Sequence, residues 1–390
     1  KCSFCNFASD VFSRGAYRSY VDRVSADISQ AELLADRLGV CFEGEVDSIY
    51  LGGGTPTVLD PVDLERIFES VRSTFSVSLG AEISVECAPG TLTGTDVLPA
   101  LLGCGVNRVS LGVQSFVDRE SASVGRLHNR EVVLQDVQRL GAAGISNINI
   151  DLIAGLPHQN EPSWNDSLQE ALNTGAGHVS VYMLEIDDES RLGRELLAGG
   201  TKYHAHFVPD EELSTKLYLQ AEEVLRQGGV AQYEISNFAR PGCESRHNLK
   251  YWTRKPYLGF GVDAHSMLLP KAADRDLAAL RFATSDSLDG FMAAAPVERT
   301  PVSRVAALEE SFFLGLRLTR GVDLDEVAAE FGGEVVESLA TEIGELVDEG
   351  LLTREGSRIA LTSRGRMLSN EVFARFLVDQ DEPRAAAVAP

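Results

Sequence analysis

The chain has 390 residues, 44% hydrophobic and 24% charged, which is enough apolar material for a large core with room for a second, smaller domain. A formal net charge of −23, with Lys and Arg scattered along the chain, argues against a nucleic-acid partner. No apolar run approaches the ~20 residues that span a bilayer, and the opening Lys1-Cys2-Ser3-Phe4-Cys5 does not read as a secretory signal, so a cytoplasmic protein is expected.

The first three-fifths alternate short apolar runs with amphipathic stretches. Strands are predicted at Ser48 to Leu51, Glu82 to Glu86, Arg108 to Leu111, Asn147 to Leu152 and His178 to Leu184, each followed by a turn or loop signal. Between them lie helical patterns. Asp60 to Thr74 opens on Asp-Pro and sets Leu64, Ile67, Phe68 and Val71 on one face, and Glu131 to Ala143 and Glu161 to Asn173 have similar spacing. This rhythm predicts a parallel α/β sheet or barrel, which places its chemistry at the C-terminal ends of the strands. Polar residues gather at those ends: Gly52 to Pro56 after the first strand, Glu86 at the end of the second, Gln114 after the third and Asp151 at the end of the fourth.

Further on, a loop at Tyr203 to Asp210 precedes a helix from Glu211 to Gln227 and a polar, aromatic stretch from Tyr233 to Trp252. Pro296 to Pro301 reads as a linker. Helical segments follow at Val305 to Thr319, Val322 to Phe331 and Val335 to Glu349, and then a small hairpin from Leu351 to Thr362 that turns at Glu355 to Ser357. Helices followed by a hairpin predict a winged-helix-like second domain from about residue 300, and the stretch after Asp379 reads as a frayed tail.

Six cysteines, Cys2, Cys5, Cys41, Cys87, Cys104 and Cys243, are too sparse for a disulfide scaffold in a chain this long. The one close pair, Cys2 and Cys5, suits metal or redox chemistry: half of a zinc site, a dithiol, or an iron–sulfur site. The absence of a second CxxC argues against a four-cysteine zinc site. Gly52-Gly53-Gly54 by itself could be a tight turn, but with Thr55-Pro56 behind it the run suits close approach of a ligand to the backbone.

Taken together, these motifs carry a family resemblance. Lys1-Cys2-Ser3-Phe4-Cys5 resembles the end of the radical S-adenosylmethionine (SAM) cysteine motif, Cys-x3-Cys-x2-Cys, and Gly52 to Thr57 resembles that family's loop for the SAM amino group. Gly105 to Phe116, Gly125-Arg126-Leu127-His128, Asn149 to Pro157 and Tyr233 to Pro241 are similar to the oxygen-independent coproporphyrinogen III oxidase-like branch. Arg246-His247-Asn248-Leu249-Lys250-Tyr251-Trp252 resembles the HNxxYW element of HemW-type haem chaperones, and Leu316 to Gly321 and Arg364 to Phe373 match the same group. The likeness covers nearly the whole chain.

The resemblance implies a partial (β/α)6 radical SAM barrel with a C-terminal winged-helix-like α+β domain. Residues 1–200 would form the radical SAM core, 201–299 a barrel extension carrying the haem-binding element, 300–380 the C-terminal domain and 381–390 a disordered tail. The implied cofactors are a [4Fe–4S] cluster, SAM and haem. Cys2 and Cys5 match the second and third cluster ligands, Phe4 the adenine side of SAM, and Gly53, Gly54 and Thr55 its amino end. Glu86, Gln114, Arg126 and Asp151 match further SAM-contacting positions, where a carboxylate pairs with an ammonium or ribose hydroxyls and Arg offers a fork to a carboxylate. His247 matches the haem ligand; His128 and His265 are weaker candidates for that role, with hydrogen-bonded places near the SAM end of the barrel as the plainer reading. The family's first cluster cysteine falls four positions before Cys2, ahead of Lys1, so an N-terminal truncation that also leaves out the first barrel strand is expected, with a binding protein that has lost the cluster as the alternative.

A haem chaperone that delivers haem to client haemoproteins is the function implied. The alternative, an oxygen-independent coproporphyrinogen III oxidase, resembles a pattern with a further cysteine two positions after the third, and here that position is Phe7. Peripheral contact with membrane respiratory complexes and a homodimer are compatible with the resemblance. The C-terminal domain is expected to act as a lid or partner-docking surface, since the acidic balance argues against DNA.

Overall fold

The structure is a computed structural model that describes residues 2–4, 14–93, 96–188, 190–272 and 276–377, with side chains from residue 17 in the first long segment. Cys5 and the tail at 381–390 lie outside the described residues.

Five parallel strands form the body of the first unit: β1 (Glu45–Leu51), β2 (Ser76–Cys87), β3 (Arg108–Gln114), β4 (Asn147–Ala154) and β5 (His178–Met183). They lie side by side in chain order, and β6 (Ala231–Glu234) and β7 (Asn237–Ala239) close the sheet in the order β1-β2-β3-β4-β5-β7-β6, with β7 antiparallel to β5. Helices Pro61–Thr74, Val97–Gly103, Arg130–Ala142 and Glu161–Asn173 make the crossovers, so the sheet is a partial α/β barrel as the alternation predicts.

Strand residues alternate between faces with a period of two. On one face stand Ile83, Val85, Val109, Leu111, Ile148, Ile150, Leu152, Val179 and Val181, all buried. Buried residues of the crossover helices, among them Leu64, Phe68, Leu101, Leu140, Trp164 and Leu168, complete this core. Each such aliphatic side chain contributes about 1.5–3 kcal/mol of burial free energy. The opposite face carries almost no aliphatic residues.

By contacts, the second unit comprises residues 30–43, 233–235 and 248–390. It contains an antiparallel sheet of β8 (His265–Leu268), β9 (Leu277–Ala283) and β10 (Glu298–Ser303), ordered β10-β9-β8. The Pro296 to Pro301 stretch, expected as a linker, therefore runs into an edge strand paired with β9, where Pro301 is tolerated because an edge residue can dispense with one ladder hydrogen bond. The C-terminal part is winged-helix-like. Helices Arg304–Gly315, Leu324–Phe331, Gly333–Ser338 and Ala340–Asp348 pack with a three-stranded sheet of β11 (Val322–Asp323), β12 (Leu352–Glu355) and β13 (Arg358–Leu361). The helix expected over Val335 to Glu349 is two helices, separated at Leu339. Phe312 and Phe376 stack at 4.5 Å in the middle of a core that includes Leu346, Leu352 and Ile359.

Candidate functional site

The site grows out of the other face of the β1–β5 sheet. The strand register sets Glu86, Ser110, Asn149 and His178 in one row, and Gly112, Asp151, Ser180 and Asn237 in the next. Asn149 lies at the centre. Its Nδ2 shares its two hydrogens among Ser110 Oγ at 2.7 Å, Asp151 Oδ1 at 2.7 Å and Ser180 Oγ at 3.0 Å, and its Oδ1 accepts from His178 Nδ1 at 2.6 Å. Ser110 Oγ also donates to Asp151 Oδ2 at 2.8 Å. One row below, buried Arg108 donates to Asn147 Oδ1 at 2.8 Å and to the Cys243 carbonyl at 2.9 Å. Such a face is a hydrogen-bonded polar network rather than a hydrophobic core, its groups largely satisfied by one another.

At the C-terminal edge of this face lies a cradle. Tyr50 Oη donates to Glu86 Oε1 at 2.7 Å, and the Gly53 N–H donates to Glu86 Oε2 at 3.2 Å. Gly52 is required by close approach, because a Cβ there would stand 2.5 Å from the Tyr50 ring and 2.7 Å from Glu86 Oε1. Gly53 and Gly54 border open space, and Thr55 leads into the short helical turn Pro56–Val58. Burial pushes the Glu86 carboxyl above its ordinary value even though Tyr50 and the Gly53 and Gly54 amides hydrogen-bond to it; the nearby Asp151 adds to the rise. Burial raises Asp151 too, against the hydrogen bonds of Ser110, Ser180 and Asn149 and the charge of Arg126.

Gln114 and Arg126 meet over Gly112. A Cβ on Gly112 would lie 2.9 Å from Arg126 Nη2 and 3.1 Å from Gln114 Nε2, so both side chains depend on that glycine. The β3–β4 register shifts between Gly112 and Gln114, and Gln114 sits at φ 69°, a left-handed conformation that a non-glycine residue holds only at a cost. Arg126 Nε is buried and has no hydrogen-bond partner among the described residues. A buried unpaired donor on a cation is costly, and a bound anion would satisfy it. The glycine-lined opening, the carboxylate at its edge and this orphaned donor fit a zwitterionic ligand with an ammonium and a carboxylate.

The N-terminal segment reaches the same strand ends. Ser3 N donates to the Val124 carbonyl and Leu192 N to the Ser3 carbonyl, both at 3.0 Å. Phe4 packs on Val124, Ile153 and Leu156. Cys2 adjoins this tethered residue, while Cys5 lies outside the described residues.

His247 is in the second position of the helix Arg246–Trp252. Its ring stacks on Tyr50 with centroids 5.0 Å apart and planes 21° from parallel, and its Nδ1 lies 3.3 Å from Ser48 Oγ. The Glu82 carboxylate accepts from the Arg246 and His247 backbone amides at 3.1 and 3.0 Å, capping that helix start. Tyr251 and Trp252 are in the second unit, where Tyr251 meets Tyr257 edge to face and Arg317 lies over the Trp252 ring. His128 Nε2 is 3.1 Å from the Val113 carbonyl, and exposed His265 is 3.5 Å from Asp263.

The structure thus gathers Gly53, Gly54, Glu86 and, through Tyr50, His247 at one place, and brings Gln114, Arg126 and Asp151 together beside them. Sequence reasoning passed over Tyr50, Glu82, Arg108, Ser110, Asn149, His178 and Ser180. Their signal is strict alternation: Glu82-Ile83-Ser84-Val85-Glu86, Arg108-Val109-Ser110-Leu111 and His178-Val179-Ser180-Val181 each place every polar residue on one face.

This fold and site define a class, the α/β partial barrel that presents a small-molecule cradle at the C-terminal edge of its parallel strands. Residues 1–171 match the Radical SAM superfamily, and residues 302–368 match the HemN C-terminal domain. The chain is 30% identical over 382 residues to the heme chaperone HemW of Lactococcus lactis, covering 97% of this chain and 94% of that one. It is 34% identical over 356 residues to the heme chaperone HemW of Synechocystis, covering 87% and 81%. Its fold superimposes with a TM-score of 0.78 on coproporphyrinogen III oxidase (HemN) from Escherichia coli, 21% identical, covering 96% of this chain and 86% of that one. The chain belongs to the HemW family of radical SAM proteins. Among the described residues, no helix is long and apolar enough to cross a membrane.

Proposed function

We propose that this chain is a haem chaperone, binding haem through His247 and handing it to client haemoproteins, with SAM and a [4Fe–4S] cluster held at the barrel edge. The observation that carries the reading is the setting of His247. Ser48 at Nδ1, Tyr50 at the ring face and Glu82 at the backbone fix the imidazole from three sides. A partner on one ring nitrogen sets the tautomer and orientation with which the other meets a metal.

Glu86 and the Gly53 and Gly54 amides would hold the amino end of SAM, with Thr55 beside them. Arg126 and Gln114 would take its carboxylate and Asp151 a ribose hydroxyl, while Phe4 would cover the adenine. Cys2 and Cys5 would hold the cluster as two of three thiolates; the family's remaining position precedes Lys1. The chemistry that the bound pair supplies is one-electron reduction of the SAM sulfonium. The polar face would orient the ligand, and the aliphatic face behind it would keep the strands rigid.

The test is a haem titration of wild type and His247→Ala followed by Soret absorbance, with transfer to an apo-haemoprotein as the second readout. His247→Ala is expected to weaken haem binding tenfold or more, about 1.4 kcal/mol, and to slow transfer. Unchanged affinity would remove His247 from the site, and catalytic decarboxylation of coproporphyrinogen III by the wild type would replace the chaperone reading with an oxidase.

A further inference from the structure

Tyr50 stands where two sets of contacts meet. Its hydroxyl donates to Glu86 Oε1 at 2.7 Å, and its ring stacks on His247 at 5.0 Å. Gly52 leaves room for that ring, since a Cβ there would come within 2.5 Å of it. Around His247, Ser48 Oγ lies 3.3 Å from Nδ1, and the Glu82 carboxylate anchors the backbone amide at 3.0 Å. Tyr50 belongs to neither proposed ligand set, yet it touches the carboxylate of one and the imidazole of the other.

We propose that Tyr50 is a positioning residue that couples the glycine–Glu86 cradle to His247, so that an amino group bound at Glu86 changes the affinity of His247 for haem and haem changes the affinity of the cradle. The inference rests on the reading above, in which SAM occupies the cradle and haem meets His247. In the structure Glu86 divides its oxygens between the Tyr50 hydroxyl and the Gly53 amide. An ammonium entering the cradle engages one of those oxygens and offsets the carboxylate charge. The ammonium then competes with the Tyr50 hydroxyl for the carboxylate, and the Tyr50–Glu86 hydrogen bond weakens. The ring is released to reorient, and the stacked imidazole loses or gains face contact with it. Because binding free energies are linked, the coupling runs equally in both directions.

The experiment uses the full-length protein, reconstituted anaerobically with iron and sulfide. Haem titrations of wild type, Tyr50→Phe and Tyr50→Leu are run with and without saturating SAM. Tyr50→Phe keeps the ring and drops the hydroxyl, and Tyr50→Leu drops both. SAM is expected to change the haem dissociation constant of the wild type about fivefold or more, and that change is expected to vanish in both variants. The readout is the SAM-dependent difference, which a purely structural defect would not abolish selectively. A second arm needs no haem: in ¹³C-histidine-labelled protein, the His247 resonance, identified by its loss in His247→Ala, should move on adding SAM in the wild type and stay put in Tyr50→Phe. A wild type with no SAM effect, or a Tyr50→Phe protein with the full effect, overturns the coupling. If His247→Ala binds haem normally, the haem role of His247 fails, and the resonance arm alone decides the link: a His247 signal that SAM moves only when the Tyr50 hydroxyl is present upholds it, and any other pattern overturns it.

Discussion

Strands β2 to β5 present two faces built from sequence neighbours. Val85, Leu111, Ile150 and Val179 lie on one, fully buried and interchangeable in kind. Glu86, Ser110, Asn149 and His178 lie on the other, in a hydrogen-bonded row where each side chain has a particular partner. Parallel sheets are usually apolar on both sides because helices cover both. Here one face follows that rule and the other departs from it, and the departure is what supports the proposed ligand site there. The apolar face supplies stability; the polar face gives up stability to keep charged groups ready.

The comparison breaks most visibly on the apolar side. Leu111→Ala removes a fully buried side chain and is expected to cost about 2–5 kcal/mol, measured by urea unfolding, while SAM and haem stoichiometry per folded molecule stay unchanged. Loss of binding at full stability would mean that the two faces are not separable.

A smaller effect of opposite sign is expected on the polar side. Burial raises the Glu86 carboxyl above its unfolded value. The stability this group contributes is therefore fully present below the unfolded carboxylate range and is lost as pH rises through the raised folded value. Glu86→Gln removes that loss. Without ligand, it should unfold at a higher temperature than the wild type near neutral pH, and the gain should fade as pH falls into the carboxylate range. The same variant should bind SAM weakly. A stability gain that persists unchanged at acid pH would point to a cause other than the buried charge.

Much of this was legible in the chain. Gly52 to Pro56, Glu86 and Gln114 fall at strand ends as the alternation of strand and helix predicts, and the helix Glu211–Gln227 forms over the residues expected, whereas Asp151, expected at a strand end, lies inside the longer β4. What escaped was tertiary. Asn149 and Ser180 read as ordinary strand residues until the register aligns them with Asp151 and His178. Tyr50 reads as an apolar strand residue until Glu86 and His247, which lie 36 and 197 positions further on, converge on it. β10, with Arg299, Thr300 and Pro301, has the composition of a connector, and only its pairing with β9 makes it a strand.

That the polar face is a ligand site held ready can be tested at a single residue. Arg126 tests it most directly, because its buried Nε has no partner among the described residues. Equilibrium dialysis with SAM should show Arg126→Met binding about tenfold or more weaker than the wild type, the loss expected for one hydrogen bond to a charged group, while the ligand-free variant is no less stable. Wild-type affinity in Arg126→Met would contradict the claim and leave Arg126 a structural residue.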